Sequence, residues 1–368
     1  MALVSAQTPA KLRGNVFQNL LISRRFLRPA QLAGALGLLL HLTLATAESV
    51  KSQLARGDYV GAVARFDAGA RAGEAIAQNN LGVLLLQGRG VTKDLLAARH
   101  WFEAAAAQGL PGAMYNLGMV YLRGYGTPAD PVTAAGWLQK AAALGDVEAQ
   151  FYLATLYFHG TGLASNPELA AHWFAEAAKQ GLKEAKFNLA LLLLEGKGVP
   201  ADEAQAVRLL ESIAESHPDA ALVLAKVDLQ YLKEPERASR ALATFRRLAE
   251  NGNREAQAAL GTLYLSGTIT PKDTEEGRFW LAQSAQQGYA KAQRQMGQLY
   301  ESGVGVTRDW TEAAAWYTLA AQAGDHESAE RLEGLLPKLT PIAREQVALR
   351  AEVLHQAQKI SAPPTAKP

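Results

Sequence analysis

Apolar and polar positions along this chain follow a helical period, and the helical stretches themselves recur about every 36 residues. From Ala113, the residues Ala113, Leu117 and Tyr121 fall at i, i+4 and i+8, which is one face of a helix. Gly118 beside Leu117 is small and lets a neighbouring helix approach closely. Gly124 and Gly126 then end the helix and permit positive φ in a turn. Asp130 follows as the N-cap of a second helix, with Pro131 at its first position. That helix carries Trp137, then Ala141 and Ala142 one turn later, a bulky ring set against small neighbours, and Gly145 closes it.

The same pattern repeats along most of the chain. Gly109, Gly145 and Gly181 are spaced by 36, and so are Gly252, Gly288 and Gly324. Seven copies start near Glu74, Leu110, Asp146, Leu182, His217, Asn253 and Tyr289. The cap recurs as Asp94, Asp130, Asn166, Asp202, Asp273 and Asp309, and the indole as Trp101, Trp137, Trp173, Trp280 and Trp316. The tryptophans are expected in the repeat core. Self-similarity at this period predicts a helical array in which each unit buries its apolar face on the next.

The Asn-Leu-Gly of the first helix, the G-x-G turn, the capping Asp, the Trp and the Ala-Ala…Gly ending together resemble the Sel1-like repeat family, a subgroup of the tetratricopeptide-like helical hairpins. The resemblance covers about residues 74–324. It implies an all-α, right-handed α-solenoid that acts as a non-catalytic protein-interaction scaffold. In such arrays the first helices line the concave surface. Asn80, Asn116 and Asn188 stand just before the Leu of that helix, with Tyr152 and Gln295 at the same position in two other copies. In tetratricopeptide relatives an asparagine here can hold a peptide backbone or terminal carboxylate, because an amide donates and accepts at once. The competing reading is that these side chains bond between repeats and hold the stack.

The ends differ from the middle. Residues 48–73 read as a capping tetratricopeptide-like hairpin, residues 325–358 as capping helices stopped at Pro337 and restarted at Thr340-Pro341, and 359–368 as a frayed, disordered tail. Ile342, Val347 and Leu354 are apolar positions of the final helix. Inside the array the fourth and fifth copies degenerate. His217-Pro218 replaces a closing Gly, Tyr231-Leu232-Lys233-Glu234-Pro235 replaces a G-x-G turn, and Leu209 and Thr244 (beside Phe245) stand at the Trp position. The sixth copy has Gly267-Thr268-Ile269 and lacks the second glycine. These changes read either as drift with the core refilled, or as altered curvature or a flexible seam near 200–252.

Residues 1–47 carry five basic residues and no acid, then an apolar run from Leu32 to Leu44 and an Ala45-Thr46-Ala47 ending. That is the layout of a secretory signal peptide. At about 1.5 Å per residue the run spans roughly 20 Å, short of a ~30 Å hydrocarbon core. A cleaved signal is therefore expected, with a retained inner-membrane anchor as the alternative. Ser23-Arg24-Arg25-Phe26-Leu27-Arg28 resembles a twin-arginine export motif without its usual spacer, so general secretion is preferred. Without the leader's five cations, 32 basic residues face 35 acidic ones, a net of −3 in place of the +2 of the whole chain. The mature chain thus has no bulk attraction to nucleic acid or anionic lipid.

Candidate chemistry is sparse. The absence of cysteine excludes disulfides, thiol nucleophiles and Cys-ligated zinc. The seven histidines form no H-x-x-x-H or H-E-x-x-H pattern, so no metal or cofactor is expected. The loops at Gly88-Arg89-Gly90, Gly124-Tyr125-Gly126 and Gly196-Lys197-Gly198 follow no strand and precede no G-K-[ST], which makes them turns rather than phosphate cradles. The expected partner is a protein or peptide in the bacterial envelope, periplasmic or secreted. The alternatives are a membrane-anchored adaptor and an envelope enzyme. A cysteine-rich branch of the family is associated with β-lactam binding, but that branch is disulfide-stapled and this chain has no cysteine.

Overall fold

A computed structural model describes residue 50 and residues 52–361, all helices and turns with no strand among the described residues. The leader, 1–47, and the last residues of the tail, 362–368, lie outside the described residues. The chain divides into two compact units, one ending at Ile213 and one beginning at Ala214. The division falls inside the stretch where the repeat degenerates.

The first unit opens with a short helical stretch, 52–55, and α1 (Tyr59–Arg71). Four hairpins follow: α2 (Ala75–Gln87) with α3 (Leu95–Ala107), α4 (Pro111–Arg123) with α5 (Pro131–Ala143), α6 (Val147–His159) with α7 (Pro167–Lys179), and α8 (Lys183–Glu195) with α9 (Glu203–Glu211). The second unit holds α10 (Pro218–Asp228) with α11 (Pro235–Glu250), α12 (Arg254–Ser266) with α13 (Thr274–Gln286), and α14 (Ala290–Ser302) with α15 (Trp310–Gln322). It ends in α16 (His326–Leu335) and α17 (Pro341–Ser361). Within each unit, every helix from α1 to α16 packs on its neighbours in the chain, while α17 passes over α16 to pack on α15 and α13.

Local chemistry sets these boundaries. Each second helix of the regular copies starts at a side-chain cap. Asp94 and Asp130 accept from two backbone N–H groups of their first turns, as does Asp309, while Asn166, Asp202 and Asp273 accept from one. Asp58 caps α1 in the same way, and Asp146, Asn253 and Asp325 cap first-type helices. The second glycine of the G-x-G turn has a steric purpose. A Cβ at Gly126 would lie 2.9 Å from the Leu95 carbonyl, and one at Gly162 would lie 2.2 Å from that of Pro131. The turn of one hairpin therefore lies directly on the first turn of the preceding second helix. Within a hairpin, Gly118 does the same work, since a Cβ there would meet Leu138 at 2.8 Å.

The core residue of the second helix is the one after the tryptophan. Phe102, Leu138, Phe174, Leu210, Phe245, Leu281 and Tyr317 are all fully buried. Trp101, Trp137, Trp173 and Trp280 are half-buried and pack against the edges of the clusters, and only Trp316 is buried. The expectation of tryptophan at the centre is thus corrected by one position. The indole covers a seam between hairpins while the next side chain fills the hairpin itself. This explains why Leu209 and Thr244 are tolerated: the core position in those copies is still Leu210 and Phe245. On the final helix Val347 and Leu354 face the array while Ile342 is exposed.

The fifth copy replaces its missing turn with an ion cluster. A 3₁₀ turn, Leu229–Tyr231, joins α10 to α11, and Glu234 at the N-cap makes no capping hydrogen bond but lies 3.9 Å from Arg237. Asp228 is fully buried at the end of α10. It accepts from Arg237 at 3.0 Å and from Arg240 at 2.7 and 2.8 Å, and Arg237 lies 3.6 Å over the Tyr231 ring. The sixth copy's Ile269, where glycine would stand, packs against the Phe245 cluster beside this hairpin.

Two substitutions test this account. Leu138→Ala is expected to cost about 2–5 kcal/mol in denaturant unfolding, more than Trp137→Ala at its half-exposed neighbour. Asp228→Ala removes the buried carboxylate that joins Arg237 to Arg240 and is expected to cost about 1.5–3 kcal/mol, against about 1 kcal/mol for removing the exposed cap Asp94. Equal losses at Asp228 and Asp94 would remove the ion cluster from this role.

Candidate functional site

The first helices carry polar side chains in a mostly apolar setting. Asn80, Asn116, Tyr152 and Asn188 lie on α2, α4, α6 and α8 of the first unit and are between 3 and 7% exposed. Gln295, on α14 of the second unit, is half-buried. Two of these side chains bond between consecutive first helices. Asn116 Nδ2 donates to Asn79 Oδ1 at 2.8 Å, and Gln295 Nε2 donates to Thr262 Oγ1 at 2.8 Å. To that extent these amides hold the stack.

They do not exhaust their bonding capacity on it. Asn80 Oδ1 and Asn116 Oδ1 are buried without a hydrogen-bond partner, and the buried hydroxyls of Tyr115 and Tyr152 have only each other as hydrogen-bonding neighbours. All four lie on three consecutive first helices. The Tyr115 and Tyr152 rings tilt together with centroids 5.8 Å apart, and Phe151 meets Tyr152 edge-on at 5.6 Å. Burial pushes both phenols above the ordinary tyrosine range, so both stay protonated and able to donate. Each buried polar group left without a partner costs roughly 1–3 kcal/mol, which makes the cluster an expensive feature of the first unit. Beside it, Asp146 caps α6 through the Ala149 N–H at 2.8 Å, and Glu148 lies on the first turn of α6. Burial raises the pKa of both carboxyls, and the charge of Asp146 raises that of Glu148 further.

A scan against protein families matches the Sel1 repeat at residues 75–110, 111–146, 147–182, 183–217, 254–289 and 290–325, more than half of the chain. The chain belongs to the Sel1 repeat family. Members of this family are generally non-catalytic helical scaffolds that bind other proteins. The hairpin at α10 and α11, with its ion cluster in place of the glycine turn, falls between the matched stretches. Among solved structures, a Sel1 repeat protein from Oxalobacter formigenes is 29% identical with a TM-score of 0.56, over 78% of this chain and 89% of that one. A protective antigen of uropathogenic Escherichia coli with the same repeat fold is 26% identical with a TM-score of 0.53, over 84% of each chain. No curated protein matches the sequence.

One Sel1 device escaped the sequence reading. Gln78, Gln150 and Gln257 each donate Nε2 to the last-turn carbonyl of the preceding second-type helix, at Ala70, Ala142 and Ala249. Each also accepts, through Oε1, from a glutamine thirty residues on: Gln108, Gln180 and Gln287, at 2.7–2.9 Å. One buried amide thus ties three consecutive helices. The signal was present as glutamine pairs at a fixed spacing of 30, a period shorter than the repeat. Tyr115 and Asn79 were also missed, because they stand one residue before the positions that the motif comparison picked out.

The histidines have separate surroundings. His100 and His172 sit against the neighbouring Trp101 and Trp173 rings, and His217 Nδ1 accepts from the Ala220 N–H at the start of α10. Among the described residues no group of three His, Asp or Glu side chains is placed to hold a metal ion, and no helix is long and apolar enough to cross a membrane.

The raised carboxyls give a pH dependence with a definite sign. A carboxyl whose pKa is higher folded than unfolded holds its proton more tightly in the folded state, so stability falls as pH rises from the unfolded carboxylate value. Mild acidification from neutrality should therefore stabilise the first unit. Glu148→Gln is expected to raise its melting temperature at pH 7 and to flatten this acid-side gain. A melting temperature unaltered by the substitution at both pH 5 and pH 7 would contradict it.

Proposed function

We propose that this chain is a non-catalytic adaptor of the bacterial cell envelope, and that it holds a protein partner on the first-helix layer of its first unit. The observation that carries this reading is the set of poorly partnered polar atoms on α2, α4 and α6. A structure with no use for Asn80 Oδ1, Asn116 Oδ1 and two phenol hydroxyls would gain stability by replacing them with apolar groups. These atoms are closed off from solvent, so a peptide reaches them only as the covering side chains shift to admit it; an extended segment then offers partners, with its N–H groups for the amide oxygens and its carbonyls for the phenols. The envelope assignment rests on the basic, apolar, Ala-Thr-Ala leader. With the leader cleaved the adaptor is periplasmic or secreted, and with the leader retained it is tethered to the inner membrane. N-terminal sequencing of the fractionated protein separates the two.

Stability and binding are expected to separate. Tyr152→Phe removes a buried hydroxyl whose one hydrogen-bonding neighbour is Tyr115, so unfolding stability should change by no more than about 1 kcal/mol. Capture of the partner in a cross-linked envelope pull-down should fall. Asn116→Ala loses the bond to Asn79 as well and should lower both. Undiminished capture by Tyr152→Phe and Asn80→Ala together would overturn the assignment of this layer.

A further inference from the structure

The last helix of the chain presents a second surface, unconnected with the polar cluster. One face of α17 packs on α15 and α13, burying Val347 and Ala351. Gln358 Nε2 donates to the Ala285 carbonyl at 3.3 Å, and Arg350 pairs with Glu312 at 2.5 Å. These contacts fix the helix on the array. The opposite face is open to solvent and yet carries large apolar side chains. Ile342, Leu349 and Val353 are 69, 68 and 49% exposed.

Their spacing is informative. Ile342, Gln346, Leu349, Val353 and Gln356 follow one another at steps of four, three, four and three, which is the heptad seam of a two-helix coiled coil. Glu345 and Glu352 run along one edge of this seam, and Arg350 stands on the other. In a parallel pair each residue on the first edge faces the residue five positions further on in the other helix. That register sets Glu345 opposite Arg350 of a second copy, in reach of a guanidinium that is 43% exposed. Gln346 and Gln356 fall opposite themselves, and an amide is its own complement.

We propose that α17 is a homodimerisation helix, joining two copies of this chain through a parallel seam centred on Leu349 and Val353. The fit is to a second copy because the pattern is self-complementary in both its amides and its charged edges. A helix of 21 residues is roughly 30 Å long, so the pair buries on the order of 1,000 Å² in total, the low end for a specific interface. The dimer is therefore concentration-dependent. It would double the number of partner-binding layers per assembly.

The test is sedimentation equilibrium on the mature chain over a wide concentration range. A reversible monomer–dimer equilibrium is expected, and the double variant Leu349→Glu, Val353→Glu should stay monomeric with an unchanged melting temperature, since both side chains are exposed. The chain has no native cysteine, so single cysteines report directly. Leu349→Cys should oxidise to a covalent dimer, and Ala348→Cys, exposed but off the seam, should not. A wild-type chain that is monomeric at every concentration would overturn the proposal. So would a dimer that survives the double variant, or equal cross-linking at 348 and 349. The mass measurement requires no partner protein, so its failure leaves the adaptor reading standing.

Discussion

Close approach between consecutive hairpins is the constraint on which the rest of the structure depends. A single pair of 13-residue helices cannot bury its own apolar face, so each hairpin is stable only against its neighbours. The contact distance is set by atoms that are missing. No side chain is tolerated at Gly126 or Gly162, because the turn rests on backbone of the previous hairpin. Alanines such as Ala105, Ala106, Ala141 and Ala142 line the second helices and are buried. Backbones brought this close leave little room for water, and polar atoms caught between them must find partners inside the protein. The glutamine ties at Gln78, Gln150 and Gln257 are one answer to that demand. The amide oxygens of Asn80 and Asn116 are places where no internal answer exists.

The degenerate region shows the same constraint from the other side. A position is held only when something packs on it. Trp is lost in the fourth and fifth copies with no loss of core, because the buried residue is the next one, Leu210 or Phe245. The second loop glycine is lost in the sixth copy, where Ile269 packs against the neighbouring cluster instead. A buried ion cluster is a weak way to gain stability, since desolvation offsets most of its attraction. Its value at Asp228 is geometric: one carboxylate fixes two arginines of α11 and so sets how α10 and α11 meet without a glycine turn.

Element positions were legible in the sequence because they depend on local chemistry. The starts read for the seven copies, from Glu74 to Tyr289, are the residues at the N-caps of the first helices. Capping and glycine termination act within a few residues, so the chain states them openly. What lies deepest is decided by a different geometry. Trp137 and Leu138 differ by about 100° around their helix, and no local rule says which of the two turns toward the first helix. Size favoured the indole, but the indole's size suits it to a seam between hairpins. The candidate site was legible only in part for the same reason. Asn80, Asn116 and Tyr152 stood out by register, while Tyr115 completes the cluster from one position earlier in the preceding repeat, across a distance that no pattern in the linear chain expresses.

The two surfaces differ in what each would require of a partner. The polar layer of the first unit is buried, so a partner must supply well-placed hydrogen bonds to recover what the unpaired atoms cost. Such a surface selects by geometry. The seam on α17 is apolar and open, and a partner need only match a heptad spacing. A surface of that kind selects by shape and is prone to the wrong company unless charges restrict it. Glu345 on one edge and Arg350 on the other provide that restriction, because two copies aligned in parallel bring these unlike charges together. Arg350 also pairs with Glu312 of α15, so the residue that sets the specificity of the seam is anchored to the array. The orientation of the seam is thereby tied to the stack, and the stack is tied to the missing side chains of its glycines.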